Sequence, residues 1–251
     1  MKFLVMTDIH GNSSVLDKLD DEFKSCDAVL FGGDFADVIS KLPGEPVLEK
    51  LRSKHDEIYA VLGNHDAPDF LEQLEDSGIN AERTLNYTDG IAILGSGGAT
   101  EFTHDTPNER PEDDIIKDFD ILNSASGGDE KDTWRNLIII SHNPPKDTKC
   151  DAVNDTLHAG SQKFRELIEQ IQPLAVVTGH IHEGTSIDKI GRTTVINSGS
   201  LGNQGTYAIL EVEKKGGEFT VKIAEVKKIY SAKNKNIEKK PEHIRLFSYS
   251  F

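Results

Sequence analysis

Five times along this chain a short apolar run, too brief for a helix, stops at a glycine or a polar residue and gives way to a polar loop. The runs occupy residues 2–7, 28–31, 57–62, 137–140 and 174–177. They are nearly continuous in apolar residues rather than alternating, which is the pattern of strands buried on both faces. Helical stretches at 14–23, 69–77 and 161–171 lie between them, the last begun by Ser161 and closed off by Pro173. A repeated order of strand, polar loop and helix predicts an α/β fold whose loops leave the C-terminal strand ends and gather in one crevice. Residues 91–94, 193–196, 207–212 and 218–226 read as further strands, set off by Gly191, Gly205 and Gly216-Gly217. These four are expected to supply a second sheet.

The five polar loops bring Asp8, His10, Asp34, Asn64, His142, His180 and His182 towards one place. A single divalent ion is saturated by roughly four to six such ligands, so this set matches two ions that share a carboxylate. Asp8 and His10 are alternate residues and reach one ion only if the strand gives way to loop there, which Gly11 permits. His180 and His182 have the same spacing and can face different ions, and Asp34 is the natural bridge. Any one of these loops is weak on its own. Five of the nine histidines, however, follow apolar runs, together with Asp8, Asp34, Asp66 and Asn64, and scatter does not produce that.

With 251 residues and 36% hydrophobic content the chain can bury a substantial core. It reads as one domain over 1–226 with a basic extension over 227–251, where Lys227, Lys228, Lys233, Lys235, Lys239, Lys240 and Arg245 outnumber Glu238 and Glu242. The bland reading of that arm is a solvated or self-docked segment. No apolar run approaches the roughly 18 residues that would cross a bilayer, and the opening run is too short for a secretory signal, so a cytoplasmic location without membrane partners is expected. Cys26 and Cys150 lack metal-type spacing and read as reduced, buried thiols. A net charge of −15 argues against a nucleic-acid backbone as partner. The oligomeric state is left open.

Asp8-Ile9-His10-Gly11, Gly33-Asp34, Gly63-Asn64-His65-Asp66, Ser141-His142 and Gly179-His180-Ile181-His182 together resemble the ordered motif set of the calcineurin-like metallophosphoesterases. The resemblance implies a four-layer α/β/β/α sandwich of two mixed sheets flanked by helices, with a dimetal site at the C-terminal strand ends. It implies Asp8, His10, His182 and the bridging Asp34 around a first ion, and Asp34, Asn64, His142 and His180 around a second. A hydroxide held between the ions attacks phosphorus in this family. His65 is similar to the family histidine that contacts the phosphoryl group and protonates the leaving oxygen, with Asp37 as the carboxylate that orients it. Asp66 has a lesser claim, bracing its own loop. Val38 and Leu62 stand where the protein Ser/Thr phosphatases of the family carry arginines, which places recognition of phosphoproteins by that route in doubt.

Specificity is expected from the insertion at 95–128, with Pro107, Pro111 and a short helix near 113–122. Its His104 is a candidate phosphate contact. So is His158, before the helix start at Ser161, although plain capping by Ser161 is the stronger reading there. The segment 155–161 with Gln172-Pro173 and Gly179-His180-Ile181-His182-Glu183 resembles a prokaryotic subgroup of predicted phosphoesterases, while Asn197-Ser198-Gly199-Ser200 reads as a structural loop near the metals. The activity expected is hydrolysis of a small-molecule or nucleotide phosphoester, a diester before a monoester, with Mn2+ as the first choice of metal and Fe, Zn, Ni or Mg as alternatives. A non-catalytic scaffold and a nuclease are the competing readings. The first predicts a lost ligand and the second a basic cleft, and the sequence has neither.

Overall fold

The computed structural model describes residues 1–125 and 134–229. Along these the strands are β1 (Lys2–Met6), β2 (Ala28–Phe31), β3 (Ile58–Ala60), β4 (Asn86–Thr88), β5 (Ile91–Ser96), β6 (Ala99–Thr100), β7 (Glu109–Arg110), β8 (Leu137–Ser141), β9 (Ala175–Thr178), β10 (Ser186–Ile190), β11 (Thr193–Asn197), β12 (Thr206–Lys215) and β13 (Glu218–Lys228). One sheet has the order β13-β12-β1-β2-β3, the other β10-β11-β9-β8-β5-β4, and β6 pairs with β7 apart from both. In the first sheet β1, β2 and β3 run parallel and β12 joins β1 antiparallel. In the second, β5, β8, β9 and β11 are parallel, with antiparallel β4 and β10 at the edges.

Alternation along each strand sorts the apolar residues into three cores. Leu4, Met6, Val29 and Phe31 face outward to Leu16, Leu19, Phe23, Val47 and Leu51 on the helical layer. Phe3, Val5, Leu30 and Val61 face inward to Ile93, Ile138, Ile140, Val177 and Ile196 of the other sheet. The far faces of those strands, through Leu94, Ile139, Val176 and Val195, pack on Phe119, Phe164, Ile168 and Ile171. The four layers expected are therefore present, and burial on both faces explains why the runs read as continuous. Each fully buried Leu, Ile or Phe contributes about 1.5–3 kcal/mol relative to exposure.

The strands are partitioned otherwise than the sequence suggested. Residues 207–212 and 218–226 lie in the first sheet, where Leu210 registers with Phe3, while β8 and β9 belong to the second. A strand apolar on both faces carries no mark of its neighbour, because pairing is settled by contacts distant in sequence. The five loops that carry the candidate ligands consequently come from two sheets, whose C-terminal strand ends meet at one end of the sandwich.

The helix Gln162–Ile171 starts as expected, with the Ser161 hydroxyl accepting from Phe164 N, and ends at Gln172 in a left-handed conformation. The stretch expected as one helix at 14–23 is a 3-10 segment, Ser13–Leu19, followed by the helix Asp20–Ser25. The helix Glu45–Lys54 was not anticipated, although Pro46 at its first turn and Val47, Leu48 and Leu51 on its buried face are ordinary signals. Strand β13 runs through Lys228, so Lys227 and Lys228 pair with Tyr207 and Thr206 in the sheet. The remainder of the expected basic extension, 230–251, lies outside the described residues, as does 126–133, which takes in the end of the expected insertion. Cys26 and Cys150 are free and buried. No helix among the described residues is long and apolar enough to cross a membrane.

Candidate metal centre

At the ends of β1, β2 and β9 the chain turns by an unusual route. Asp8, His10, Asp34 and His180 adopt φ of 55°, 51°, 59° and 65°. Left-handed backbone costs a side-chain-bearing residue about 1–2 kcal/mol, and such strain gathers at functional sites when its surroundings enforce it. Here the enforcement is a set of hydrogen bonds: Asp8 N to Gly33 O at 2.9 Å, His10 N to Asp34 O at 3.0 Å, Gly202 N to Asp8 O at 3.0 Å and Ser200 Oγ to Asp8 O at 2.8 Å. Ile9, fully buried between the two ligand candidates, anchors the turn in the core. Two motif glycines are required by close approach, since a Cβ on Gly63 would strike the Asp34 carboxylate and one on Gly179 the Asp8 carboxylate.

These turns bring the seven predicted ligands together. Asp8 Oδ1 lies 3.1 Å from His182 Nε2 and 3.8 Å from His10 Nε2, and the two imidazole nitrogens are 3.4 Å apart. Asp34 Oδ2 is 3.7 Å from His10 Nε2 and 3.6 Å from His142 Nε2, so one oxygen faces both halves of the cluster. Asn64 Oδ1 is 2.9 Å from His142 Nε2 and 2.9 Å from His180 Nδ1. Three overlapping groups have donor atoms spaced to hold an ion: Asp8 with His10 and His182, His10 with Asp34 and His65, and Asp8 with Asp34 and His142.

The chemistry of these donors fits a cation. Burial lowers the pKa of His142 and takes that of His180 down to about 3, so both rings are neutral at pH 7. His142 Nδ1 donates to Gly32 O at 2.7 Å, which uses its single proton and leaves the Nε2 lone pair aimed at the Asn64 carbonyl oxygen. Two acceptors at 2.9 Å repel unless a positive charge lies within reach of both. Around His10 the situation is similar: burial brings it down to about 4, its Nε2 faces another imidazole nitrogen, and its Nδ1 is buried without a hydrogen-bond partner. Burial opposes charge on Asp8 as well, but the hydrogen bond from His182 and the fields of His142, His182 and His10 hold it below the usual carboxylate range. Asp34 is pushed well above that range by burial and by the neighbouring Asp8 and Asp66.

His65 sits beside the cluster, its ring edge-on to His10 at 4.9 Å and its Nδ1 3.6 Å from Asp37 Oδ1. Burial lowers its pKa and the fields of Asp37 and Asp8 raise it in part. Asp66 does more than brace its own loop. Its carboxylate accepts from Gly63 N at 2.8 Å and from Asp34, Phe35 and Ala36 N at 3.0, 3.2 and 2.8 Å, tying the bridging loop to the Asn64 loop. Asn197-Ser198-Gly199-Ser200 braces in a comparable way, with Asn197 Nδ2 donating to Cys150 O and Ile181 O, both at 2.8 Å.

The two outlying histidines are placed differently from the candidate ligands. His104 is exposed, and its backbone N donates to Glu109 Oε2 at 3.0 Å. His158 Nδ1 is 2.7 Å from the buried Asp151, and no hydrogen bond among the described residues joins it to the ligand side chains. His158, the other candidate phosphate contact, is thus paired within the fold, since Asp151 takes its ring along with the N–H groups of Asp147, Thr148 and Gly160. The capping expected of Ser161 is what the helix start shows.

Residues 1–184 match the sequence profile of the calcineurin-like phosphoesterases. The chain belongs to that family. It is a family of metal-dependent hydrolases with two-metal centres, and the cluster described above supplies candidate ligand groups for them. An uncharacterized protein of Methanocaldococcus jannaschii, MJ1162, is 32% identical over 120 residues, which are 46% of this chain and 51% of that protein. The match thus spans about half the length of this curated relative. Among solved structures, TT1561 of Thermus thermophilus superposes with a TM-score of 0.67 at 18% identity, covering 91% of this chain and 99% of that one. A dimetal phosphatase from Danio rerio gives 0.59 at 12% identity over 91% and 95% of the two chains. YfkN of Bacillus subtilis, a calcineurin-like phosphoesterase, gives 0.54 at 13% over 91% and 90%. These structures share the fold of this phosphoesterase.

Three residues at the site escaped the sequence reading. Thr106 Oγ1 accepts from Asn64 Nδ2 at 3.1 Å, Asn108 Nδ2 donates to Gly63 O at 3.0 Å, and the buried Glu82 accepts from Leu62 N at 2.7 Å. All reach the loop of β3 from the excursion after β5 or from the segment before β4. Their only sequence signal is polarity within an insertion, which most surface loops share.

Proposed function

We propose that this phosphoesterase hydrolyses phosphodiesters in preference to monoesters, on a small-molecule or nucleotide substrate, with Mn2+ as the resident ion at both positions. The observation that carries the reading is the placement of Asp34 Oδ2, 3.7 Å from His10 Nε2 and 3.6 Å from His142 Nε2, where one oxygen serves both halves of a split donor set. Asp8, His10, His182 and Asp34 would hold the first ion, and Asp34, Asn64, His142 and His180 the second. Four imidazoles, two carboxylates and an amide, with no thiolate, make a mixed oxygen and nitrogen set that suits Mn2+. When bound, the two ions supply an activated water and neutralise charge on the phosphoryl oxygens. His65 contacts a phosphoryl oxygen and passes a proton to the leaving oxygen, and Asp37 steers its ring.

The preference for diesters follows from charge. Among the described residues, the hydrogen bonds and ion pairs of the ligand side chains involve no Lys or Arg. A monoester brings nearly two negative charges at neutral pH and a diester one, so a site with few cations beyond its metals favours the diester. The test is turnover of paired chromogenic diester and monoester substrates with Mn2+, alongside Asp34→Asn and His65→Ala. Diester turnover at least tenfold above monoester, abolished in Asp34→Asn, is the expected result. Faster monoester cleavage overturns the preference, and two bound ions without turnover under Mn2+, Ni2+, Zn2+ or Fe2+ points to a scaffold.

A further inference from the structure

Asn64 presents a carbonyl oxygen to two histidines, but an amide can equally present its NH2 face, which a cation repels. What decides between them lies in the excursion after β5. Thr106 Oγ1 is 3.0 Å from Glu109 Oε1 and 3.1 Å from Asn64 Nδ2. A carboxylate only accepts, so the single hydroxyl proton of Thr106 goes to Glu109 and leaves oxygen lone pairs towards Asn64. The group facing them is then the NH2, and the carbonyl is turned to His142 and His180.

Glu109 is itself fixed. It accepts from the backbone N–H groups of Phe102, Thr103, His104, Asp105 and Thr106 at 2.7 to 3.3 Å, which folds the loop around its carboxylate. From the same loop Asn108 N donates to Asn64 O at 3.2 Å, so the ligand is gripped at backbone and side chain by one segment.

We propose that Thr106, oriented by Glu109, is a positioning residue that sets which face of the Asn64 amide meets the second metal ion. The inference rests on the assignment of Asn64 as a ligand. It makes the excursion a part of the metal centre and not only a wall of the substrate pocket.

The experiment is calorimetric titration of Mn2+ into the chelator-treated full-length protein, with each variant checked for its native far-ultraviolet circular dichroism. Wild type is expected to take up two ions. In Thr106→Val one ion weakens by about 10- to 100-fold, the usual effect of losing a partner behind a ligand, while the other shifts by less than about threefold. Thr106→Ser restores the hydroxyl and with it both affinities. Thr106→Ala is read in the same way should the valine variant lose its fold. Wild-type binding of both ions in Thr106→Val, or a serine variant as impaired as the valine one, overturns the inference while leaving the two-metal reading in place. If Asn64→Ala also binds both ions as wild type does, the ligand assignment falls and this inference with it.

Discussion

Asp66 Oδ2 lies 3.0 Å from the backbone nitrogen of Asp34, yet these neighbouring carboxylates serve opposite ends. Asp66 is ringed by the N–H groups of Gly63, Asp34, Phe35 and Ala36, and although burial raises its pKa these four donors hold it to about 6. Asp34 accepts from His65 N at 2.8 Å on one oxygen, turns the other to two histidine nitrogens, and is pushed well above the carboxylate range by burial and the nearby charges of Asp8 and Asp66. The first is a brace whose needs are met by the fold. The second is left with acceptor capacity that the polypeptide does not satisfy, which is what a ligand for a cation requires.

The largest effect that would break this contrast is in Asp34→Asn. Diester turnover should fall by about 10^3-fold or more, since each tenfold step corresponds to about 1.4 kcal/mol of lost transition-state stabilisation. The melting temperature of the metal-free variant, by contrast, should stay level or rise, because a neutral amide removes a buried charge lying near Asp8 and Asp66. A drop of several degrees would make Asp34 a brace after all. Asp66→Ala is the converse, with about 3–4 kcal/mol lost in urea unfolding of the metal-free protein as three buried N–H groups and the half-buried one of Ala36 lose their acceptor.

Metal addition sharpens the same point. At a free Mn2+ concentration about 100 times the dissociation constant, wild type should gain about 2.7 kcal/mol and Asp34→Asn much less, as read from thermal unfolding with and without chelator. The smallest effect concerns an intermediate case, Glu82, a buried carboxylate with one N–H partner, Leu62, whose pKa burial raises from 4.5 to about 7. The folded state then binds the proton more tightly than the unfolded one. The stability it contributes is present below about pH 4.5 and lost as the pH rises to about 7. Glu82→Gln keeps an oxygen for Leu62 N and should gain about 2 kcal/mol at pH 8 and nothing at pH 4, measured by denaturant midpoints.

The positions of the candidate donors could be picked out because each is local: a donor a few residues past a buried run is visible without knowing where the run goes. Sheet membership was not, since β8 and β12 are chosen by partners far along the chain and their own residues suit either sheet. The roles of Thr106 and Glu109 were hidden for a related reason, as they depend on a loop folding back to β3. Histidine is ambiguous in sequence: His158 suits an ion pair as well as a phosphate, and its place beside Asp151 depends on the fold. Asp66 stood in the right motif, but its reach to Asp34, Phe35 and Ala36 needed β2 and β3 side by side.

The division of the candidate ligands between two sheets also bears on the birth of the protein. Synthesis proceeds from the N-terminus, so Asp8, His10, Asp34 and Asn64 emerge well before His142, His180 and His182, and Asp8 meets His182 across 174 residues of chain. An ion arriving early finds two carboxylates, an amide and one imidazole on a sheet that still lacks β12 and β13. On the proposed assignment the donor set is complete only once β9 and the turn to His182 have joined the sandwich, and a product cut short before His142 carries four of the seven donors.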